Sequence, residues 1–258
     1  MLRFAAESEA PMQASVLIVI AAFLTSILSG VFGMAGGIVF MGVLTWLLPA
    51  ALALALHGVI QFASNLWRFL LHRAHVVWPV LLWFAFGSAI SLAVFSLVLF
   101  APTKFLVFLG LGLTPILVWL PERWIRLDAG KPLHALGGGF VSNGVSLISG
   151  VSGPVSDLLF VNTDLNRHQV VATKAVMQAM GHASKIFVYG GLLLSSPNRQ
   201  AIALPATLVA VAASMAGITV GGYILDRISD AQFRTMRRWL VTLVGLAFLY
   251  QALRIAVA

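Results

Sequence analysis

The sequence predicts an all-α membrane protein built from two inverted repeats, and three observations lead to that prediction. First, 60% of the 258 residues are hydrophobic and only 9% are charged, whereas a soluble domain carries about 25% charged residues. Second, several apolar runs approach or exceed the roughly 18 residues that mark a membrane-spanning helix. Third, a glycine-containing motif and a block of polar residues occur in the same order in both halves of the chain.

Hydropathy divides the chain into about ten helical segments separated by short polar connections. Their predicted bounds are 14–32, 36–49, 54–72, 76–100, 104–120, 133–150, 154–163, 168–193, 200–226 and 239–254. The most polar connection, 121–132, separates the first five segments from the last five, so the predicted transmembrane repeats are 14–120 and 133–258. Because five is an odd number, the second repeat enters the membrane from the opposite side, which is the plan of many secondary transporters.

The second and seventh segments are too short to cross a bilayer. A helix rises 1.5 Å per residue, so these segments cannot span a hydrocarbon core of about 30 Å. Each follows a Ser-Gly-x-x-Gly motif, SGVFG at 29–33 and SGVSG at 149–153. We therefore predict that segments 1–2 and 6–7 each form a helix, a glycine-rich turn inside the membrane and a short helix leading out.

The net charge of +8 is better explained by membrane orientation than by nucleic-acid binding, because the basic residues cluster in short loops between apolar runs. The basic residues predicted for one side are Arg68, Arg73, Arg123, Arg126, Lys131, Arg167, Arg227, Arg234, Arg237 and Arg238. The basic residues predicted for the other side are Arg3, Lys104, Arg199 and Arg254. The richer side is expected to be cytoplasmic, which places both termini outside a cell (inner) membrane.

Two stripes of polar residues lie within apolar segments, at positions that share one helix face. The stripe of the second half is Lys174, Gln178, His182 and Lys185. The stripe of the first half has the same spacing and is His57, Gln61, Asn65 and Arg68. A lysine buried in hydrocarbon costs at least ~2.5–3.5 kcal/mol, so the stripes are predicted to face a cavity or partners. For Arg68 and Lys174, near segment ends, the alternative is that the side chains snorkel to the head groups.

The glycine motifs supply a second group of candidate binding residues. An exposed helix N-terminus offers free N–H groups and the positive end of the helix dipole, both of which favour an anion. Serine hydroxyls add further donors. The candidates from the motifs are Ser29, Gly30, Gly33, Ser149, Gly150 and Gly153. The alternative for these small residues is close packing between helices.

The charge of the polar groups within the apolar segments indicates the kind of ligand. Nitrogen donors dominate both stripes, and Asp157 is the main acidic residue inside the segments. We therefore predict an anionic ligand, although Asp157 could instead neutralise one lysine. His57, His182 and Asp157 are the candidate proton-coupling residues, and the two histidines could equally serve as hydrogen-bond donors. Expected partners are a small anion and the lipid bilayer, with a second copy of the chain as a further candidate.

Other functional classes have weaker support. The chain lacks cysteine, and His72 and His75 have weak metal spacing, so no metal site or cofactor is expected. No P-loop is present. The sequence GVSG at 150–153 could make Ser152 the nucleophile of a rhomboid-like intramembrane protease with His182, but Phe32 stands at the corresponding place in the first repeat. An anion channel is a further alternative to the predicted non-enzymatic carrier.

The doubled motifs resemble a known family. SGVFGMAGGIVFMGVL, the second SGVSGP, HGVIQFASNLWR and VATKAVMQAMGHASKIF are similar to sequences of the sulfite exporter TauE/SafE family, also called TSUP transporters. The resemblance covers about 15–254. It implies a permease of the bacterial cytoplasmic membrane for sulfite, thiosulfate, sulfoacetate or other sulfonates. It also implies that the glycine breaks and the polar stripes form the transport site.

Overall fold

The computed structural model describes residues 2–98, 100–195, 204–225 and 227–257, and these residues form helices and connections without any strand. Arg199 and residues 200–203 of the predicted ninth segment lie outside the described residues. Within the described part, five helices are long and apolar enough to cross a membrane. They are Met12–Phe32, Ala50–His75, Trp78–Val98, Leu204–Leu225 and Thr235–Val257.

The helices follow the predicted segments closely. The first half contains α1 (Leu2–Phe32), α2 (Ala35–Leu47), α3 (Ala50–His72), α4 (Trp78–Val98), α5 (Lys104–Gly112) and α6 (Thr114–Val118). The second half contains α7 (Pro132–Ser149), α8 (Gly153–Leu158), α9 (Arg167–Tyr189), α10 (Gly191–Ser195), α11 (Leu204–Leu225) and α12 (Asp230–Val257). Short 3₁₀ helices occupy Arg73–His75 and Glu122–Trp124.

Three differences from the predicted bounds have local causes. Helix α1 begins well before residue 14, because the alanines and glutamates of the polar N-terminal stretch are good helix formers. The predicted segment 104–120 is divided into α5 and α6 just before Pro115, which has no N–H to continue the helix. Helix α12 begins at Asp230, where Ser229 and Gln232 exchange hydrogen bonds at the helix start.

The two halves pack against each other through four main helix pairs. Helix α3 lies along α9, α5 along α12, α1 along α11 and α4 along α7. Helix α3 runs antiparallel to α9, since His57 near its start bonds Lys185 near the end of α9. At the other end, the Val77 N–H beyond α3 donates to Thr173 Oγ1 near the start of α9, at 3.1 Å.

Helices α1 and α11 approach each other unusually closely. A Cβ atom on Gly30 would lie 2.7 Å from the Cα of Gly221, so both positions need a residue without a side chain. Most of the buried apolar residues around the breaks belong to one cluster from α1, α2, α3, α5 and α7. This cluster fixes the short helix α2 inside the bundle, with Phe40, Met41 and Leu44 fully buried.

Candidate functional site

Two left-handed glycines interrupt the helices in the middle of the bundle. Gly33 has φ +70° and follows the end of α1, whereas Gly150 has φ +86° and caps the end of α7. Positive φ is accessible to glycine without steric cost, and this explains why the chain turns there. The predicted breaks between segments 1–2 and 6–7 are therefore present in the structure.

A cation from a polar stripe binds the carbonyl end of each interrupted helix. The Arg68 guanidinium donates to the Ser29 carbonyl at 2.9 Å and to Ser29 Oγ at 3.1 Å. The Lys185 ammonium donates to the Gly150 carbonyl at 2.6 Å. Carbonyls at a helix C-terminus carry partial negative charge and lack internal donors, so a cation stabilises them. Arg68 is 8% exposed, so it does not snorkel to the surface.

A continuous hydrogen-bond chain joins the two breaks. Lys185 Nζ lies 2.7 Å from His57 Nδ1, and His57 Nε2 lies 3.1 Å from the Gly37 carbonyl of α2. Because the Gly37 carbonyl can only accept, the proton of His57 is placed on Nε2, and Nδ1 accepts from Lys185. The side chains of His57 and Lys185 are fully buried. No carboxylate of the described residues is paired with Lys185.

A small polar cavity, here called the central pocket, lies between the breaks. The empty space inside it, counting open space at the mouth, is about 330 Å³. Seven predicted site residues line it, namely Ser29, His57, Gln61, Asn65, Gly153, Gln178 and His182. The remaining lining residues are Met34, Gly37, Val151 and Ser152.

Two lining residues have buried polar atoms without a hydrogen-bond partner among the described residues. They are Gln61 Nε2 and His182 Nδ1. Gln61 is 3% exposed and His182 is 8% exposed, so bulk water cannot satisfy them. A buried donor left unpaired costs about 1–3 kcal/mol, which a suitable ligand would recover. Asn65 differs, since its amide donates to the Gln61 carbonyl at 2.8 Å.

Other predicted site residues lie outside the lining of the central pocket. Gly30 packs against α11, and Ser149 Oγ donates to the Val145 carbonyl at 2.9 Å. Gly33 and Gly150 shape the turns, and Lys185 lies behind His57. The helix-packing alternative therefore accounts for Gly30.

Lys174 is paired with a carboxylate. Its ammonium forms a salt bridge with Asp157 Oδ1, and Arg237 Nη1 lies 3.7 Å from the other carboxylate oxygen. Their side chains are mostly buried. The alternative considered for Asp157, neutralisation of one lysine, is thus what the structure shows. Lys174 does not line the central pocket.

A second cavity, here called the vestibule, lies beside this ion pair. The empty space inside it, counting space open to the outside, is about 770 Å³, and it is bounded by α6, α8, α12 and the loop that follows α6. Its charged lining residues are Glu122, Asp157, Arg237 and Arg238. With Lys174 bound to Asp157, basic groups exceed acidic groups around this cavity by one.

Met34 and Gly37 were not among the predicted site residues, although both belong to the quoted segment SGVFGMAGG. The sequence signal for Gly37 was its place in the glycine-rich segment after the first break, and in the structure a Cβ there would meet no atom within 4 Å. Met34 carries no polar group, so residue chemistry alone gave no signal for it.

Several helices long enough to span a membrane, two interrupted helices and a buried polar pocket between them define a multi-pass helical membrane protein with a polar pocket in its interior. The family model described as Sulfite exporter TauE/SafE matches residues 18–248. The chain therefore belongs to the sulfite exporter TauE/SafE family, a family of membrane transporters. No curated protein and no solved structure gave a significant match.

Proposed function

We propose that this chain is a secondary transporter that moves a small sulfur-containing anion, such as sulfite, thiosulfate or a sulfonate, through the central pocket. The observation that carries the proposal is the pocket between the breaks, with unpartnered polar atoms on Gln61 and His182 and a buried lysine directly behind it. Family membership supports transport, and the chemistry of the pocket supports an oxyanion.

Lys185 is the principal source of positive charge near the pocket. Its hydrogen bonds go to a carbonyl and to an imidazole nitrogen. These acceptors take two of the three N–H donors of the ammonium group but cancel none of its charge, and isolated charges in low dielectric are costly. A bound anion would complete the pairing, with Gln61, Asn65, Gln178 and Ser152 as candidate donors to its oxygens.

Alternating access would arise from two inverted repeats, 14–120 and 133–258. The helix pairing supports this arrangement, because exchanging the halves maps the α1–α11 contact onto α7–α4 and leaves α3–α9 and α5–α12 unchanged. The antiparallel course of α3 and α9 supports the inversion. Transporters of this plan bind substrate at the repeat interface and rock one part against the other.

Proton coupling would use His182 in preference to the other two candidates. Both ring nitrogens of His57 are occupied by Lys185 and Gly37, and Asp157 is held by Lys174. His182 keeps a ring nitrogen without a partner among the described residues. A proton could therefore bind His182 without first breaking a hydrogen bond at that nitrogen.

The proposed location is a cell (inner) membrane, with the basic connections around 121–131 and 226–238 on the cytoplasmic side. The excess of basic residues on that side supports this orientation. An interior that is negative expels anions by about 2.3 kcal/mol per charge per 100 mV, so export would need no coupling ion.

Flux measurements in proteoliposomes test this function. The purified chain is reconstituted, and uptake of radiolabelled sulfite, thiosulfate, sulfoacetate and acetate is measured with and without a pH gradient. Saturable flux of at least one sulfur anion, inhibited by the others, is expected. Gln61→Leu should weaken it, while Gln251→Leu, on α12 outside the pocket lining, should not. Equal flux of cations or sugars would overturn the proposal.

The protease alternative has no structural support. Ser152 and His182 both line the central pocket, but no hydrogen bond joins their side chains in the described part of the chain. A nucleophilic serine requires a base within hydrogen-bond reach. The family match points to transport instead.

A further inference from the structure

The central pocket and the vestibule share one lining residue in the described part of the chain. That residue is Met34, in the turn between α1 and α2. It is 4% exposed. The side chain therefore lies at the boundary between a polar pocket and a larger cavity next to the basic connections.

The Met34 side chain extends from the first break to the second. An added Cβ on Gly153 would overlap the Cβ of Met34 and would lie 3.0 Å from its Sδ and 3.1 Å from its Cγ. Gly153 is the first residue of α8, so only glycine leaves room for the methionine there. Pro154, the next residue, lines the vestibule. The contact between Met34 and Gly153 thus lies where the two cavities come closest through a shared lining residue.

A methionine side chain can change its position without a movement of the backbone. Its side chain is unbranched and flexible, so it can leave a neighbour by rotating its own bonds. It also follows Gly33, whose left-handed backbone lies at the end of α1. An apolar side chain at a narrow point blocks a hydrated ion because the ion would lose water without gaining donors.

We propose that Met34 is the gate residue between the central pocket and the vestibule, and that substrate passes only when its side chain leaves Gly153. The proposal rests on the function proposed above, since it assumes that solute moves through the central pocket. It assigns the vestibule, with Arg237 and Arg238, as the entrance on the side of the connection 121–131.

The lack of cysteine in the chain allows a test with single cysteine reporters. Val151→Cys places a thiol in the central pocket, and Val161→Cys places one in the vestibule. A charged, membrane-impermeant methanethiosulfonate is added from the side of the connection 121–131, and labelling rates are measured by mass spectrometry. A thiol reacts only where water and reagent reach it. Val161→Cys should react rapidly and Val151→Cys slowly.

Met34→Ala in the Val151→Cys background should then speed labelling by at least about tenfold. Met41→Ala is the matched control, because Met41 is buried against Gly150 in the same way but lines neither cavity. An unchanged rate in Met34→Ala, or an equal gain in Met41→Ala, would overturn the proposal.

A second variant covers the case in which Met34→Ala does not fold. Met34→Cys keeps a sulfur-containing side chain of smaller size, and its thiol should react from the side of the connection 121–131 much faster than from the opposite side. Equal reactivity from both sides would refute the gate. None of these readouts needs a transported anion, so absent flux with the expected labelling would disprove only the proposed substrate.

Discussion

The two glycine breaks have the same sequence motif but place the left-handed residue at opposite ends of it. In SGVFG the last glycine, Gly33, has positive φ, whereas in SGVSG the first glycine, Gly150, has it. The first glycine of the first motif, Gly30, remains helical because α11 packs on it. The motif therefore permits a turn at either end, and neighbouring helices determine which glycine is used.

The breaks also differ in how their carbonyls are bound. Arg68 donates hydrogen bonds to Ser29, whereas Lys185 donates to Gly150 and also to His57, whose other ring nitrogen bonds Gly37. These two cations occupy the same position in the predicted repeat alignment. Both cations thus bind a helix end and a residue that lines the central pocket, which is Ser29 for Arg68 and His57 for Lys185. The hydrogen bonds of Lys185 also extend through His57 to α2, beyond the first break.

The largest effect is expected from removing the ammonium group at the second break. Lys185→Met leaves the Gly150 carbonyl and His57 Nδ1 without their donor, and a buried group left unsatisfied costs about 1–3 kcal/mol. Anion affinity should fall by about a hundredfold. Arg68→Met should lower it by about tenfold or less. Binding to the purified protein measures both, with the exposed Lys131→Met as control. Equal losses of anion affinity in the two variants would show that the cations at the two breaks contribute equally to binding.

Alanine substitution at each left-handed glycine tests whether the two breaks differ in their effect on the stability of the protein. Gly150→Ala forces a side chain into positive φ and against Met41 Sδ, whereas Gly33→Ala meets no atom within 4 Å. The backbone conformation costs about 1–2 kcal/mol at either site, and overpacking adds roughly 1–3 kcal/mol at Gly150. Thermal unfolding in detergent should show the larger decrease in melting temperature for Gly150→Ala. A larger decrease for Gly33→Ala would contradict this geometry.

A smaller effect on stability is expected from the two lysines of α9, which differ in whether a carboxylate is their partner. Lys174 has Asp157 as its partner, so Lys174→Met should destabilise the protein by about 1–3 kcal/mol, because the carboxylate would keep Arg237 at 3.7 Å but lose its closer cation. Adding Asp157→Asn should restore most of that loss. The same second substitution should not rescue Lys185→Met, because no carboxylate is paired with Lys185 in the described part of the chain. Additive losses in the Lys174 and Asp157 double variant would argue against the ion pair.

The smallest effect is expected at Ser152, where the first motif has Phe32. Ser152 lines the pocket as one hydroxyl among several polar groups, so Ser152→Ala should weaken anion binding by about 0.5–1.5 kcal/mol. Transport should continue at saturating anion. Complete loss of function, together with loss of cleavage of a membrane protein, would instead favour the protease alternative.

Much of the fold was accessible from the sequence because membrane helices depend on length and hydropathy. The segments, the two breaks and the short helices α2 and α8 follow from apolar runs and from glycine at the turns. Five residues of the polar stripes line the central pocket, namely His57, Gln61, Asn65, Gln178 and His182, whereas Arg68, Lys174 and Lys185 do not. The binding roles of these residues remain predictions.

The remaining features depend on contacts between distant parts of the chain. Nothing in the spacing of α9 shows that Lys174 meets Asp157 while Lys185 meets Gly150, because both lysines lie on one face. The hydrogen bond from Arg68 to the end of α1 could be recognised only when the position of α3 relative to α1 was known. Met34 could be recognised only when the second break was placed beside it.

Each motif has glycine at both ends, and one glycine of each motif is left-handed. The other glycine is held by a close neighbour, because Gly30 packs on Gly221 of α11 and Gly153 packs on Met34. A larger residue would be excluded at those positions by contact and at Gly33 and Gly150 by backbone conformation, so all four glycines are required for different physical reasons.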